Sequence, residues 1–393
     1  MKLFKILFDI FSSFGFAVIM LIGLFALVML GTFYQVEHGL FQAQARYFNS
    51  IYFMQSFGPI SIPVPGAYLL MILFSINLIT GGLVRIKKNW KRPGIIITHV
   101  GILVMLLSAL ITFKYSIRGN MTLYESPMAE ATERYGDEIL SYNEWAIEVG
   151  QPETGSTLFV ITESEFGDLG SNNARTYYSE DLPFDVTVSG YLRNAEPREA
   201  GATAPPGARV VDGFYLRDVG PNSQVEREVA GAYVTLKDKA SGAETEGILS
   251  GFSRAPFTAK GGGDDWVIEM ARRRWAVPFT VYLDDFIVDF HPGTSMAANF
   301  ESQVTKIEGD NREKIRIWMN HPLRHKGFTF FQANWGPPNA QPGDTLYTGF
   351  EVVKNPADQG PLVACIIVGI GLLIHFLQKL SKYAKAETKR RTA

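Results

Sequence analysis

A single cysteine, Cys365, occurs among 393 residues, and it lies inside an apolar run near the C-terminus. One thiol forms no internal disulfide, no Cys-x-x-Cys redox pair and no Cys-x-x-Cys-His haem-attachment motif, so thiol redox chemistry and covalent haem carriage by this chain are excluded. Also missing are a Gly-rich phosphate loop, a His-Glu-x-x-His zinc helix, a nucleophile elbow around a serine and any tandem repeat of fixed period. Net charge is only −2 and mean hydropathy only +0.05, so no basic face calls for a nucleic-acid partner. Histidine is scarce as well: there are six.

The near-zero hydropathy averages four apolar segments with one long polar stretch. Windows of about 20 residues place spans at 14–33, 65–84, 94–113 and 361–380, each long enough to cross a bilayer and so expected to contact membrane lipid. Basic residues sort to the cytoplasmic side. Lys2 and Lys5 precede the first span, Arg85, Lys87, Lys88, Lys91 and Arg92 fill the turn between the second and third, and Lys379, Lys382, Lys385, Lys389, Arg390 and Arg391 follow the fourth. The 34–64 loop carries only Arg46. Both termini are therefore expected in the cytoplasm, residues 114–360 outside it, and 381–393 as a basic cytoplasmic tail. The first apolar run exceeds a signal-peptide core and lacks a small-x-small cleavage site, which reads as a retained anchor. Residues 1–13 (MKLFKILFDIFSS) suit an interfacial amphipathic segment.

With no disulfide, the outer domain depends on packing, which roughly 245 residues can supply. Its segments WAIEVG, TLFVITES, FDVTVSGYL, AYVTLKD, FTVYLDDFIVDF, KIRIWM and FTFFQANW alternate with period two and are rich in Val, Ile, Thr and aromatics. They predict an all-β domain, a β-sandwich or related two-sheet fold, beside a four-helix membrane part. Asp285 within FTVYLDDFIVDF marks a bulge. AEPREAGATAPPGA (195–208) and AKGGGDD (259–265) read as exposed loops, making 194–265 a loop-rich insertion.

Among candidate functional residues, His99 comes first, because an ionisable side chain within an apolar span is costly and usually has a role. It is either a neutral buried imidazole bonded to a carbonyl or to Asn77, or an axial ligand to haem iron. At 1.5 Å per residue it lies ~8 Å from the cytoplasmic end of its helix, and His375 lies ~6–8 Å from the same end of the fourth span. The two share a layer and could clamp one haem if their helices are neighbours, although His375 could equally reach the headgroups. Asn77 is an orienting partner to an imidazole or a helix–helix hydrogen bond. His38 reads as an interfacial loop residue, and His321 and His325 as turn residues in NHPLRHKG; His291 belongs to the outer domain.

The third-span pattern ITHVGILVMLLSALITF with SIRGNMTLYE after it, and PGTSMAANFESQV followed by IWMNHPLRHKGFTFFQANW, resemble the ResB family of cytochrome c biogenesis proteins. That family supplies the ResB-type subunit of the system II cytochrome c synthase. The resemblance covers most of the chain except 194–265. It implies that His99 ligates haem b as transient cargo on a path across the membrane, and that the protein is one subunit of a haem lyase. It also implies a ResC-type partner with a tryptophan-rich (WWD) segment, which this chain lacks, and an apocytochrome c substrate bearing Cys-x-x-Cys-His. No catalytic residue is assigned. The competing expectation is a non-enzymatic scaffold whose β domain binds an exported protein.

Overall fold

A backbone removed from water must satisfy its own polar groups, which is why the four apolar runs fold as helices. The computed structural model describes residues 2–85, 93–125, 134–152, 156–170, 173–201, 204–253, 256–294, 296–337 and 344–392. Lys87, Lys88, Lys91 and Arg92 of the basic turn lie outside the described residues. The chain divides into two units, Met1–Ile117 with Lys354–Ala393, and Arg118–Val353.

In the first unit an N-terminal helix, Lys2–Phe11, is followed by the first span, Phe14–His38. Ser13 caps the span by accepting from the Phe16 amide at 3.1 Å, so the break between the helices is built into the sequence. A hairpin of β1 (Tyr52–Phe57) and β2 (Ile60–Pro65) occupies the 34–64 loop, where no strand was expected. The second span is α-helical over Ala67–Asn77 and π-helical over Leu78–Val84. The third span is Pro93–Tyr115, and the fourth runs Gly360–Thr392, carrying the basic tail as continuous helix.

Third and fourth spans pack antiparallel along small residues. A Cβ at Gly94 would strike the Gly371 carbonyl oxygen at 2.5 Å, one at Gly101 would strike the Val368 amide at 2.9 Å, and Gly360 abuts Ser108. Gly94, Gly101 and Ser108 recur every seven residues and are all buried, so the seam is a continuous close approach of two backbones. Thr112 donates to Asn355 at 3.1 Å beyond its end.

The second unit is almost entirely strand: β3 (Ile117–Glu125), β4 (Tyr135–Gln151), β5 (Ser156–Thr162), β6 (Ala174–Tyr177), β7 (Phe184–Leu192), β8 (Ala195–Glu199), β9 (Phe214–Asp218), β10 (Gly231–Asp238), β11 (Glu244–Ser250), β12 (Phe257–Gly261), β13 (Asp264–Phe290), β14 (Ala297–Glu308), β15 (Asn311–Trp318), β16 (Leu323–His325), β17 (Phe328–Gly336) and β18 (Leu346–Lys354). A ten-stranded sheet has the order β15-β14-β13-β4-β3-β18-β17-β16, with β12 on β13 and β5 on β4, and a four-stranded sheet has the order β11-β10-β7-β6. Among the described residues of this unit two large hydrophobic cores form, with a smaller cluster of Ala195, Val211, Leu216 and Tyr233 beside them, where a plain two-sheet sandwich has one core. In the first, Val186, Val188 and Val234 of the small sheet meet Ile147, Trp266 and Ile268 of the large one. In the second, the large sheet encloses Phe279, Val281, Ile317, Phe330 and Phe350 between its own strands.

Two sequence expectations change here. Residues 195–208 are not all loop: Ala195–Glu199 is β8, paired antiparallel with β9. Residues 259–265 are the end of β12, a Gly262–Gly263 turn and the start of β13. Gly, Pro and Ala weakened the strand signal, but β8 gains its ladder from a partner some twenty residues away. Both of these glycines have positive φ, 63° and 96°, which a tight hairpin requires and glycine adopts at no steric cost. The expected bulge is present, since the β13–β14 ladder slips between Leu283 and Asp285.

Candidate functional site

The third span presents His99 with its ring nitrogen Nδ1 2.7 Å from the Ile95 carbonyl, one turn back. A carbonyl oxygen can only accept, so Nδ1 carries the hydrogen, and in the neutral ring the lone pair is on Nε2. Nε2 is the atom through which such an imidazole binds a metal, with the Nδ1 bond fixing tautomer and ring plane. The ring is half-buried against the second span, and a Cβ at Gly82 would lie 2.4 Å from its Cδ2 and 3.2 Å from its Nε2.

Gly82 belongs to the π-helical end of the second span, and the neighbouring residues there grip the break before the first span. Asn77 donates from Nδ2 to the carbonyls of Phe11 (2.6 Å) and Ser13 (3.0 Å). Thr80 donates to the Phe11 carbonyl at 3.1 Å, Arg85 donates from Nη1 to the Ser12 hydroxyl at 2.8 Å, and Gly81 meets the Ser12 backbone. The wide π turn thus faces two neighbours at once: Ser12 on one side and the His99 ring on the other. Single π turns recur at functional positions because they re-aim side chains within a helix.

His99 and His375 are not brought face to face. His375 lies on the seam, its backbone amide 2.7 Å and its Cα 3.0 Å from where a Gly94 side chain would begin. His99 is five residues beyond Gly94, so its side chain leaves the helix ~140° away from the seam. Helical side chains lean toward their own N-terminus, and in this antiparallel pair that tilts the two rings toward a common depth. The histidines share a layer but occupy different faces of the helix pair. The Asn77 amide group is engaged with the Phe11 and Ser13 carbonyls, and its link to His99 runs through the second-span backbone.

Three of the remaining histidines, His38, His321 and His325, have local partners for their rings. His38 stacks on Tyr34 at 3.9 Å, and His321 stacks on Trp318 at 4.0 Å within the turn after β15. His325 bonds Glu308 at 2.9 Å. Lys326 also bonds Glu308, and together they hold its carboxyl down at about 2. Among the described residues no group of three or more His, Cys, Asp or Glu is arranged to hold a metal ion.

The sequence singles out His99, His375 and Asn77 but not Thr80, Gly81 or Gly82, and it marks Arg85 only as part of the basic turn. The available signal was the Thr-Gly-Gly interruption of an apolar span, which is a poor choice for helix stability alone.

Four helices of this length and apolarity among the described residues, with His99 and His375 inside the third and fourth of them, joined to a β-rich unit, define a multi-pass membrane protein with a large strand-built domain. Comparison with known proteins gives a ResB-like family match over residues 259–343, the segment from β12 to just beyond β17. The chain is 34% identical over 89 residues to the cytochrome c biogenesis protein CcsB of Synechococcus sp. strain CC9902, covering 23% of this chain and 20% of that protein. It is 27% identical over 113 residues to the cytochrome c biogenesis protein CcsB of Picosynechococcus sp. strain PCC 7002, covering 26% and 24%. The chain thus resembles the ResB-like family, and the alignments span about a fifth to a quarter of the curated relatives' length.

Proposed function

We propose that this protein is the ResB-type subunit of a system II cytochrome c synthase and acts in cytochrome c maturation, holding haem b as cargo through Nε2 of His99. The observation that carries the reading is the His99 imidazole itself: its Nδ1 hydrogen is committed to Ile95, leaving Nε2 as the basic atom, inside a span where an unpaired ring is costly. His375 sits on another face, so the second axial ligand comes from a ResC-type, tryptophan-rich partner, which also completes the lyase. The Lys and Arg flanks orient the chain with both termini cytoplasmic and the β domain on the exported side. There the domain positions an apocytochrome c whose Cys-x-x-Cys-His thiols add across the two haem vinyls. Each S–H adds to a C=C, forming one C–S and one C–H bond with no net electron transfer. Both sulfurs come from the substrate, in keeping with the single thiol, Cys365, of this chain.

Co-expression with a ResC-type partner and a c-type cytochrome reporter tests this. Covalent holocytochrome is expected only when both membrane proteins are present, and His99→Ala is expected to lower its yield at least tenfold. Unchanged holocytochrome without this chain would overturn the synthase assignment, leaving a membrane-anchored scaffold. Full yield with His99→Ala would overturn haem ligation by that residue.

A further inference from the structure

The second span contains a feature that haem ligation alone does not require. Its last seven residues form a π-helix containing Gly81 and Gly82, placed between the backbone of Ser12 and the ring of His99. A glycine pair weakens a helix relative to alanine, and a π turn departs from the regular α-helical hydrogen-bond pattern, so the segment is unfavourable as plain helix. Three side chains hold it in place: Asn77, Thr80 and Arg85, all bonded to Phe11, Ser12 or Ser13 at the foot of the N-terminal helix.

The consequence for His99 is steric. Its Nδ1 is tied to its own helix, which leaves rotation about the side-chain bonds to be limited by whatever touches the other edge of the ring. That edge meets Gly82, and a methyl there would overlap Cδ2 at 2.4 Å. Real Cβ atoms do not approach so closely, and the neighbour is a short, planar side chain already held at one nitrogen, so the ring would have to turn or leave its bond to Ile95.

We propose that Gly82 is a positioning residue for His99, setting the direction of the Nε2 lone pair. The Asn77, Thr80 and Arg85 bonds to the Phe11–Ser13 break make that setting depend on the N-terminal helix. This deepens the ligand role given to His99 above and rests on it for its functional meaning, while the geometric claim concerns the apo ring. The N-terminal helix, amphipathic and with Leu3 and Phe4 largely exposed, is placed to transmit its seating in the membrane to the imidazole.

The experiment uses the full chain purified with its ResC-type partner, in four forms: wild type, Gly82→Ala, Asn77→Ala and Gly23→Ala. The last is a packing control, because a Cβ at Gly23 meets only the flexible Leu70 side chain. Two readouts are taken: the absorption spectrum and midpoint potential of co-purified haem, and the ¹⁵N chemical shifts of the His99 ring in haem-free protein. Gly82→Ala is expected to convert the low-spin Soret band to a mixed or high-spin one and to shift the midpoint potential. It is also expected to move the His99 Nδ1 and Nε2 resonances, with Asn77→Ala producing a smaller change of the same kind and Gly23→Ala none. Unaltered ¹⁵N shifts in Gly82→Ala overturn the positioning claim whatever haem does. Altered ¹⁵N shifts with an unaltered haem spectrum overturn the ligand role of His99 and leave its positioning by Gly82 standing. Should Gly82→Ala fail to fold, Asn77→Ala read against Gly23→Ala decides by the same two signals.

Discussion

Glu228 is the side chain on which much of the polar order inside the β domain converges. It is 1% exposed, and it accepts from Arg193 Nε at 2.9 Å and from the Asn222 amide at 2.8 Å. Arg193 reaches on to Glu163, which in turn accepts from the Tyr191 hydroxyl. Glu228→Ala removes one of the two carboxylates that hold Arg193 and takes the acceptor from the Asn222 amide, so it is expected to cost about 1–3 kcal/mol. Denaturant unfolding followed by tryptophan fluorescence would show it as a lower midpoint, and a change under 1 kcal/mol would mean that the network is dispensable. Glu308 illustrates the exposed case. Lys326 and His325 lower its carboxyl to about 2 from an ordinary value of 4.5. A depressed folded-state value means its contribution is fully present above about pH 4.5 and is lost as pH falls toward 2. Glu308→Gln should therefore bring the variant and wild-type stabilities closer together through that window. Parallel curves across it would contradict the pairing. At this scale the sequence revealed which residues are anomalous, such as His99 and Asn77, because polarity in an apolar run is visible in one dimension. It could not reveal that Asn77 serves Phe11 and Ser13, more than sixty positions away.

Elements were legible in proportion to their periodicity. The alternation in FDVTVSGYL and AYVTLKD marks β7 and β10, whose inward positions Val186, Val188, Val234 and Leu236 are all buried. The pair β8 and β9 was hidden by Pro197 and by flanking Gly and Ala, and the β1–β2 hairpin by its place between two spans. Also invisible was the seam between the third and fourth spans, because Gly94, Gly101 and Ser108 carry no hydropathy signal and matter only once a partner helix is known. Helices in lipid associate through close packing at small residues. Gly101→Leu, which would drive side-chain atoms into the Val368 backbone at 2.9 Å, is expected to lower the thermal aggregation temperature of the detergent-solubilised protein by several degrees. Gly369→Leu, with nothing within 4 Å of its Cβ, is the matched control and should leave that temperature unchanged. Equal effects of the two substitutions would contradict a specific seam.

For the whole molecule, the division into a helical and a strand-built unit follows from composition, since only 114–360 lacks long apolar runs. Orientation is a further step that Lys and Arg placement supports. It is testable because Cys365 is the sole thiol. In a Cys365→Ala background, Ala240→Cys in the β domain and Ala384→Cys in the tail, both exposed, should react with a membrane-impermeant maleimide from opposite sides of the membrane. Labelling of both from one side would invert or break the topology. On the proposed function, this topology assigns haem ligation to His99 in the helical unit and apocytochrome binding to the β domain. The most direct measurement of this account is the optical spectrum of the chain co-purified with its ResC-type partner, in the wild type and in His99→Gly, with and without added imidazole. The account predicts a low-spin haem band that His99→Gly loses and that millimolar imidazole, occupying the space left by the side chain, restores. A low-spin band of full intensity in His99→Gly without imidazole would contradict it.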